Sequence, residues 1–218
     1  MASDAAPLPP TRWALGGAKN SGYGERFAEL INQGKDVDGE ARLADTLVDR
    51  GARILDAGSG MGRVAGYLQA HGHRVVAAEP DPVLVEQSRL TYPALDVVPL
   101  EILDLTREAV AAAGVADGFD LIVCVGNVLT FVADGTEVAV LTRLRELLAP
   151  TGRILAGFHL RGGPSSARPY SPDEFIADAT SAGLRIDHRF GGYDLRPVDD
   201  NYAVWVLSLA RDASPAQN

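Results

Sequence analysis

Apolar and polar positions change period several times along the chain, and each change marks an element. Phe27, Leu30 and Ile31 recur at helical spacing within Tyr23 to Asn32, and Leu43, Leu47 and Val48 do so within Val37 to Arg50. Two helices are therefore predicted ahead of the first strand, the second with Asp38 as its candidate cap. From Arg53 onward, short apolar runs alternate with amphipathic stretches, which predicts a parallel sheet covered on both faces. Strands are expected at Ile54 to Ala57, Arg74 to Ala78, Val97 to Ile102 or Leu103, Phe119 to Val125 and Arg153 to Phe158. The helices between them carry Val64, Tyr67 and Leu68, then Val83 and Leu84 behind Asp81-Pro82, then Thr106 to Ala113, then Val138, Leu141, Leu144 and Leu147. After the fifth strand the pattern changes. Ser171-Pro172-Asp173-Glu174 opens a helix that stops at Gly183, and Leu184 to Phe190 and Tyr202 to Leu209 read as two antiparallel strands.

Composition narrows the class without naming a function. A length of 218 residues suits one α/β domain, and 46% hydrophobic with 22% charged residues is ordinary for a globular chain. The ends lack periodicity, so the expected layout is a disordered tail over 1–12, one domain over 13–211 and a second tail over 212–218. No apolar run is long enough to span a bilayer, and Met1 to Pro10 has neither a basic residue nor an apolar core, so a cytoplasmic location is the default expectation. The net charge of -9 speaks against nucleic acid as a partner. Cys124 is the single cysteine, which excludes an internal disulfide, and the four histidines show no ligand spacing, so no metal site is expected. Nothing in the pattern specifies an oligomeric state.

The candidate chemistry centres on Ile54-Leu55-Asp56-Ala57-Gly58-Ser59-Gly60-Met61-Gly62-Arg63. A buried strand runs into an acid, the acid into glycines at alternate positions, and the chain restarts as a helix. Such a turn leaves free N–H groups at the helix start and lets a ligand lie on the backbone. A dinucleotide site would want a third small residue where Arg63 stands, and its pyrophosphate would meet Asp56 at close range. S-adenosylmethionine has no phosphate and carries an ammonium and a sulfonium, so the same acid attracts it. Glu79, about twenty residues on at the end of the second strand, can accept from ribose hydroxyls, and Asp104, at the end of the third, from an adenine amino group. Each acid has a plainer reading: Asp56 and Glu79 as solvated strand-end acids, Asp104 as the cap of the following helix.

These residues resemble the Rossmann-like, or class I, S-adenosylmethionine-dependent methyltransferases. The resemblance spans Tyr23 to Leu209 and rests on Leu55 to Gly62, Val76-Ala77-Ala78-Glu79-Pro80-Asp81, Leu103-Asp104, Phe119 to Val123 and Leu147 to Leu155. It implies a three-layer sandwich with a seven-stranded, mostly parallel sheet ending in an antiparallel hairpin. It also implies cofactor contacts from Tyr23, Asp56, Gly58, Ser59, Gly60, Glu79, Pro80, Leu103, Asp104, Val125 and Gly126, with the methionine end over the glycine turn.

The function expected is methylation of a small molecule by in-line transfer, which positioning alone can accelerate. The alternatives are a non-catalytic cofactor-binding protein and a nicotinamide-dependent oxidoreductase. Asn127 and His159 are the candidates on the substrate side: His159 reads either as a base for a hydroxyl or ammonium acceptor or as a packed strand-end histidine, and Asn127 either as an acceptor contact or as a turn residue. The loop from His159 to Tyr170 is expected to roof the acceptor, with Arg161 and Arg168 hinting at an anionic substrate. Cys124 reads as a core residue, and the stretch after strand four, Gly126-Asn127-Val128-Leu129, departs from the signature of enzymes that methylate planar amino groups.

Overall fold

The computed structural model describes residues 8–20, 22–114 and 118–210. Seven strands form one sheet: β1 (Arg53–Ala57), β2 (Arg74–Ala78), β3 (Asp96–Val98), β4 (Phe119–Cys124), β5 (Leu148–His159), β6 (Leu184–Phe190) and β7 (Tyr202–Leu209), in the spatial order β3-β2-β1-β4-β5-β7-β6. The first five are mutually parallel, and β7 lies antiparallel between β5 and β6. The helices are α1 (Arg12–Gly16), α2 (Tyr23–Asn32), α3 (Gly39–Thr46), α4 (Arg63–Ala70), α5 (Pro82–Thr91), α6 (Arg107–Ala112), α7 (Val128–Phe131), α8 (Glu137–Leu147) and α9 (Pro172–Ser181).

Alternation along each strand builds two cores, one per face of the sheet. Leu55, Val76, Ile122 and Ile154 pack with Leu141, Leu144 and Phe175 on one side. Ile54, Val75, Leu121 and Leu155 pack with Ala41, Leu43, Val64 and Leu68 on the other. Because both faces are covered, the strands read as near-continuous apolar runs. Strand order reverses between β1 and β4, the switch point at which open α/β sheets form a crevice beyond their carboxyl ends.

Local chemistry accounts for most boundaries. The Asp81 carboxylate accepts from Val83 N–H at 2.9 Å with Pro82 at the first helical position, Thr106 caps α6 through Ala109 N–H, and Ser171 caps α9 through Glu174 N–H. Asp38 holds the cap position of α3 but makes no side-chain cap bond; Asp36 takes that place in the network, accepting from Asp38 N–H and Arg42.

Two expected bounds are corrected. The third strand stops at Val98 because Pro99 has no N–H to continue the ladder, and Leu100 N–H turns back to Val98 O; a 3-10 turn, Ile102–Asp104, follows. The helix expected through Arg50 ends at Thr46. Of the segments expected to fray, 1–7 and 212–218 lie outside the described residues, while Thr11 caps α1 and Arg12 pairs with Asp134. Among the described residues no helix is long and apolar enough to cross a membrane.

Candidate functional site

At the carboxyl edge, the turns after β1, β2 and β4 and residues from Leu8 to Asn20 and from Gly22 to Tyr23 enclose a cavity of about 290 Å³. Of the residues expected to hold a cofactor, Tyr23, Gly58, Gly60, Glu79, Pro80, Leu103, Val125 and Gly126 line it, as does Asn127. Asp56, Ser59, Asp104 and His159 do not. Gly58 and Gly60 take φ of 79° and 57°, a region in which a side chain is strained, and a Cβ on Gly58 would come within 2.5 Å of Val128. Bare backbone is thus required where the cavity meets the turn.

Most N–H groups of that turn are already bonded within the protein. Gly58 and Ser59 both donate to Ala78 O, at 2.8 and 3.0 Å, Gly60 donates to Glu79 Oε2 at 2.8 Å, and Gly62 donates to Ser59 O at 3.0 Å. Four of the turn's donors are thus already bonded, which leaves a pyrophosphate fewer of them than the expectation allowed. Ser59 Oγ is buried with no hydrogen-bond partner among the described residues.

Carboxylates dominate instead. Asp56, 2% exposed, sits behind the turn and accepts from Ala65 N–H at the start of α4, at 3.0 Å. Burial pushes it up to about 7 against the pull of Arg63 and the Ala65 bond, with Glu79 and Glu40 adding to the rise. Glu79, 5% exposed, also accepts from Asp81 N–H at 2.9 Å, and burial raises it to about 7 while its two N–H bonds oppose the shift. Arg63, in the third-glycine place, is held by Glu40 at 3.0 Å and lies over the Phe27 ring. Burial also pushes the Tyr23 phenol to about 12.

Asp104 lies exposed in the 3-10 turn and not at a strand end, and Glu101, Ile102 and Leu103 face the cavity. Strand three was read as running through Pro99, and that shifted the register of its end. Arg168 is likewise spoken for, paired with Glu137 at 2.9 Å and with Glu174 and stacked on Tyr170, whereas Arg161 is exposed at 3.8 Å from Asp200. Sequence reasoning missed Trp13, which lines the cavity, donates its indole N–H to Asp81 at 2.8 Å and meets Tyr23 and Phe131 edge-on. Its signal, an indole in a Pro-rich segment of no period, was present but had no pattern to place it.

The comparisons agree with this geometry. A family model described as a methyltransferase domain matches residues 54–152. A TehB-like SAM-dependent methyltransferase from Corynebacterium glutamicum is 32% identical over 86% of this chain and 96% of its own, with a TM-score of 0.75. The CcbJ methyltransferase of Streptomyces caelestis, 18% identical, shares the fold at TM-score 0.70 over 87% of this chain and 98% of its own. The Burkholderia thailandensis 1,6-didemethyltoxoflavin-N1-methyltransferase, 19% identical, does so at 0.61 over 95% and 93%. No curated protein sequence matches the chain. Identity at that level over nearly the full length of the Corynebacterium protein, on a sheet of this order with an acid before its glycine turn, means that the chain belongs to the S-adenosylmethionine-dependent methyltransferases.

Proposed function

We propose that this methyltransferase acts on a small molecule, and that Gly58, Gly60, Glu79, Pro80, Leu103, Val125, Gly126 and Tyr23 hold the cofactor, with Asp56 acting by its charge from behind the turn. The observation that carries the site is the pair of buried carboxylates beside a glycine turn whose glycine N–H groups are taken. A cation is attracted there and an anion is not. Glu79 keeps spare lone pairs on both oxygens for hydroxyl donors, and Ile102 and Leu103 offer an apolar wall to a flat ring.

S-adenosylmethionine supplies a methyl group on a sulfonium that leaves as a neutral thioether. The chain's share is to hold the acceptor in line with that methyl and to exclude water. Beyond the cradle Trp13, Phe131, Val132 and Val140 give the cavity an apolar wall, edged by Lys19, Asn20, Arg26 and Thr136, which suits a largely apolar acceptor with a polar group. On this fold the Burkholderia enzyme carries 1,6-didemethyltoxoflavin together with S-adenosylhomocysteine, so a small acceptor and the cofactor product fit side by side.

The test is S-adenosylhomocysteine release across a panel of small phenols, alcohols, amines and thiols. Release with at least one acceptor, saturable in that acceptor, is expected. No release with any small acceptor, together with methylation of a protein or RNA substrate, overturns the reading.

A further inference from the structure

Charge is divided across the cavity. Among the described residues four charged side chains line it: the acids Glu79 after β2 and Glu101 after β3, and the cations Lys19 and Arg26 from the chain ahead of the sheet. The acids lie in the half that the cofactor is proposed to fill. Neither cation has a hydrogen bond, an ion pair or a ring contact among the described residues, and both are exposed. Other arginines beyond the same ends of the strands are spent on acids: Arg12 on Asp134, Arg63 on Glu40 and Arg168 on Glu137. In a chain with 29 acids against 20 bases, two cations left unpaired on the wall of one cavity stand out as available to a ligand.

Their neighbours set both cations apart from the acids. Gly24 of α2 packs against Gln87 of α5, the helix that follows β2. At about 3.6 residues per turn, Arg26 lies roughly 160° around α2 from Gly24, on the flank turned away from α5. It shares a face with Tyr23, whose ring is 3.3 Å from a Cβ built on Gly60 and whose hydroxyl is 3.9 Å from one built on Gly126, so that face spans the turns after β1 and β4. Lys19 adjoins Asn20, whose amide donates to Trp13 O at 2.7 Å and accepts from the Ser166 hydroxyl at 2.6 Å. Ser166 belongs to the loop after β5, and Pro164 of that loop lines the cavity. Strand β5 lies beyond β4, across the switch point from β2 and β3. The acids thus stand at the β2 and β3 end of the crevice and the cations toward β4 and β5.

We infer that Lys19 and Arg26 select the acceptor by binding a carboxylate on it, while its apolar body lies against Phe131, Val132 and Val140. The inference rests on the small-molecule reading and adds the acceptor class: an apolar molecule that carries a carboxylate as a handle, apart from the atom that is methylated. A guanidinium offers two parallel N–H bonds to a carboxylate, and an ammonium adds a point charge. The division of charge also fixes the sense of binding. A negative group is repelled by Glu79 and Glu101 and drawn to the cations, so the acceptor enters with its other end toward the cofactor. Because both cations are exposed, they contribute specificity and orientation more than raw affinity. Arg161 and Arg168, the arginines that the sequence suggested for an anion, do not line the cavity, and Lys19 and Arg26 take that place.

Matched pairs of acceptors test this on the whole enzyme: aromatic phenols, amines and thiols that carry elsewhere on the ring either a carboxylate or the corresponding carboxamide. S-adenosylhomocysteine release should show kcat/KM about tenfold or more higher for the acid than for its amide. In Arg26→Gln and in Lys19→Gln that ratio should fall about threefold or more, through KM for the acid, and in the double variant it should approach one. Arg26→Lys keeps the charge without the fork and should recover part of the ratio. Calorimetry should find S-adenosylmethionine affinity within about threefold of wild type in each variant, and melting within about 3 °C, since both side chains are exposed. Equal turnover of acid and amide overturns the inference, as does a double variant that keeps the wild-type ratio. A double variant that loses about tenfold in cofactor affinity and keeps the ratio gives the cations to the cofactor's own carboxylate and overturns it too. Methylation of a protein or RNA but of neither member of any pair refutes the small-molecule reading, whereas equal methylation of acid and amide refutes the carboxylate site alone.

Discussion

Glu79→Gln separates the two jobs that Glu79 performs. In the wild type, Oε2 accepts from Gly60 N–H and Oε1 from Asp81 N–H, with the side chain 5% exposed. Glutamine replaces one acceptor with an NH2 donor, so one buried N–H loses its partner at a cost of about 1–3 kcal/mol. Charge acts in the other direction. The folded carboxyl titrates at about 7 against an ordinary value of 4.5, chiefly through burial, with Asp81 and Glu101 adding to the rise. A carboxyl raised in the folded state contributes stability that is complete below the unfolded value and is lost as pH rises through the folded one. Over the window from 4.5 to about 7 that loss is about 3 kcal/mol, at about 1.4 kcal/mol per pH unit. Glutamine has no proton to release and escapes it. The variant is therefore expected to be less stable than wild type by about 1–3 kcal/mol near pH 5 and to draw level with it or exceed it near pH 8. Urea unfolding of the cofactor-free protein at a series of pH values and fixed ionic strength measures both quantities. A stability gap that does not change with pH refutes the buried, late-titrating carboxyl, and equal stability at the acid end refutes the paired hydrogen bonds.

Gly60→Ala places a Cβ at φ 57° and 3.3 Å from the Tyr23 ring, so melting should fall by about 2–8 °C. Cofactor affinity should fall with it, and wild-type affinity in calorimetry would displace the cradle from this turn. Asp104→Ala removes an exposed acid outside the cavity and should leave cofactor affinity within about twofold; a much larger loss would restore Asp104 to the site. Cys124 is fully buried and its thiol is pushed well above the ordinary range by burial, with Asp56 adding, so a thiol reagent should label it only as fast as the chain unfolds. Rapid labelling of native protein would contradict the packing of β4.

The glycine turn and its two acids were legible because they depend on neighbours in sequence: an acid next to the end of a strand, glycines where the chain reverses, and a second acid just after the next strand. Helix starts at Asp81, Thr106 and Ser171 were legible for the same reason, since a cap acts over three residues. Asp104 was misplaced because the apolar run from Val97 to Leu103 looked continuous while Pro99 ended its pairing. Trp13 was missed because nothing near it in sequence says what it touches: its partners are Asp81, Tyr23 and Phe131.

By itself the sequence determined the alternation of strand and helix, the two-sided burial, and the choice of a cationic over a phosphate-bearing cofactor, since periodicity and the charge of Asp56 need no folded context. Tertiary structure alone decided what that charge experiences. Asp56 meets Ala65 N–H behind the turn and not the cavity, the N–H groups of Gly58, Ser59 and Gly60 are spent on Ala78 and Glu79, and burial raises both carboxyls to about 7. It also joined Asn127 to His159 across thirty-two positions of chain. Contacts of that kind depend on which strand ends lie side by side in the sheet, and neighbouring residues carry no record of that order.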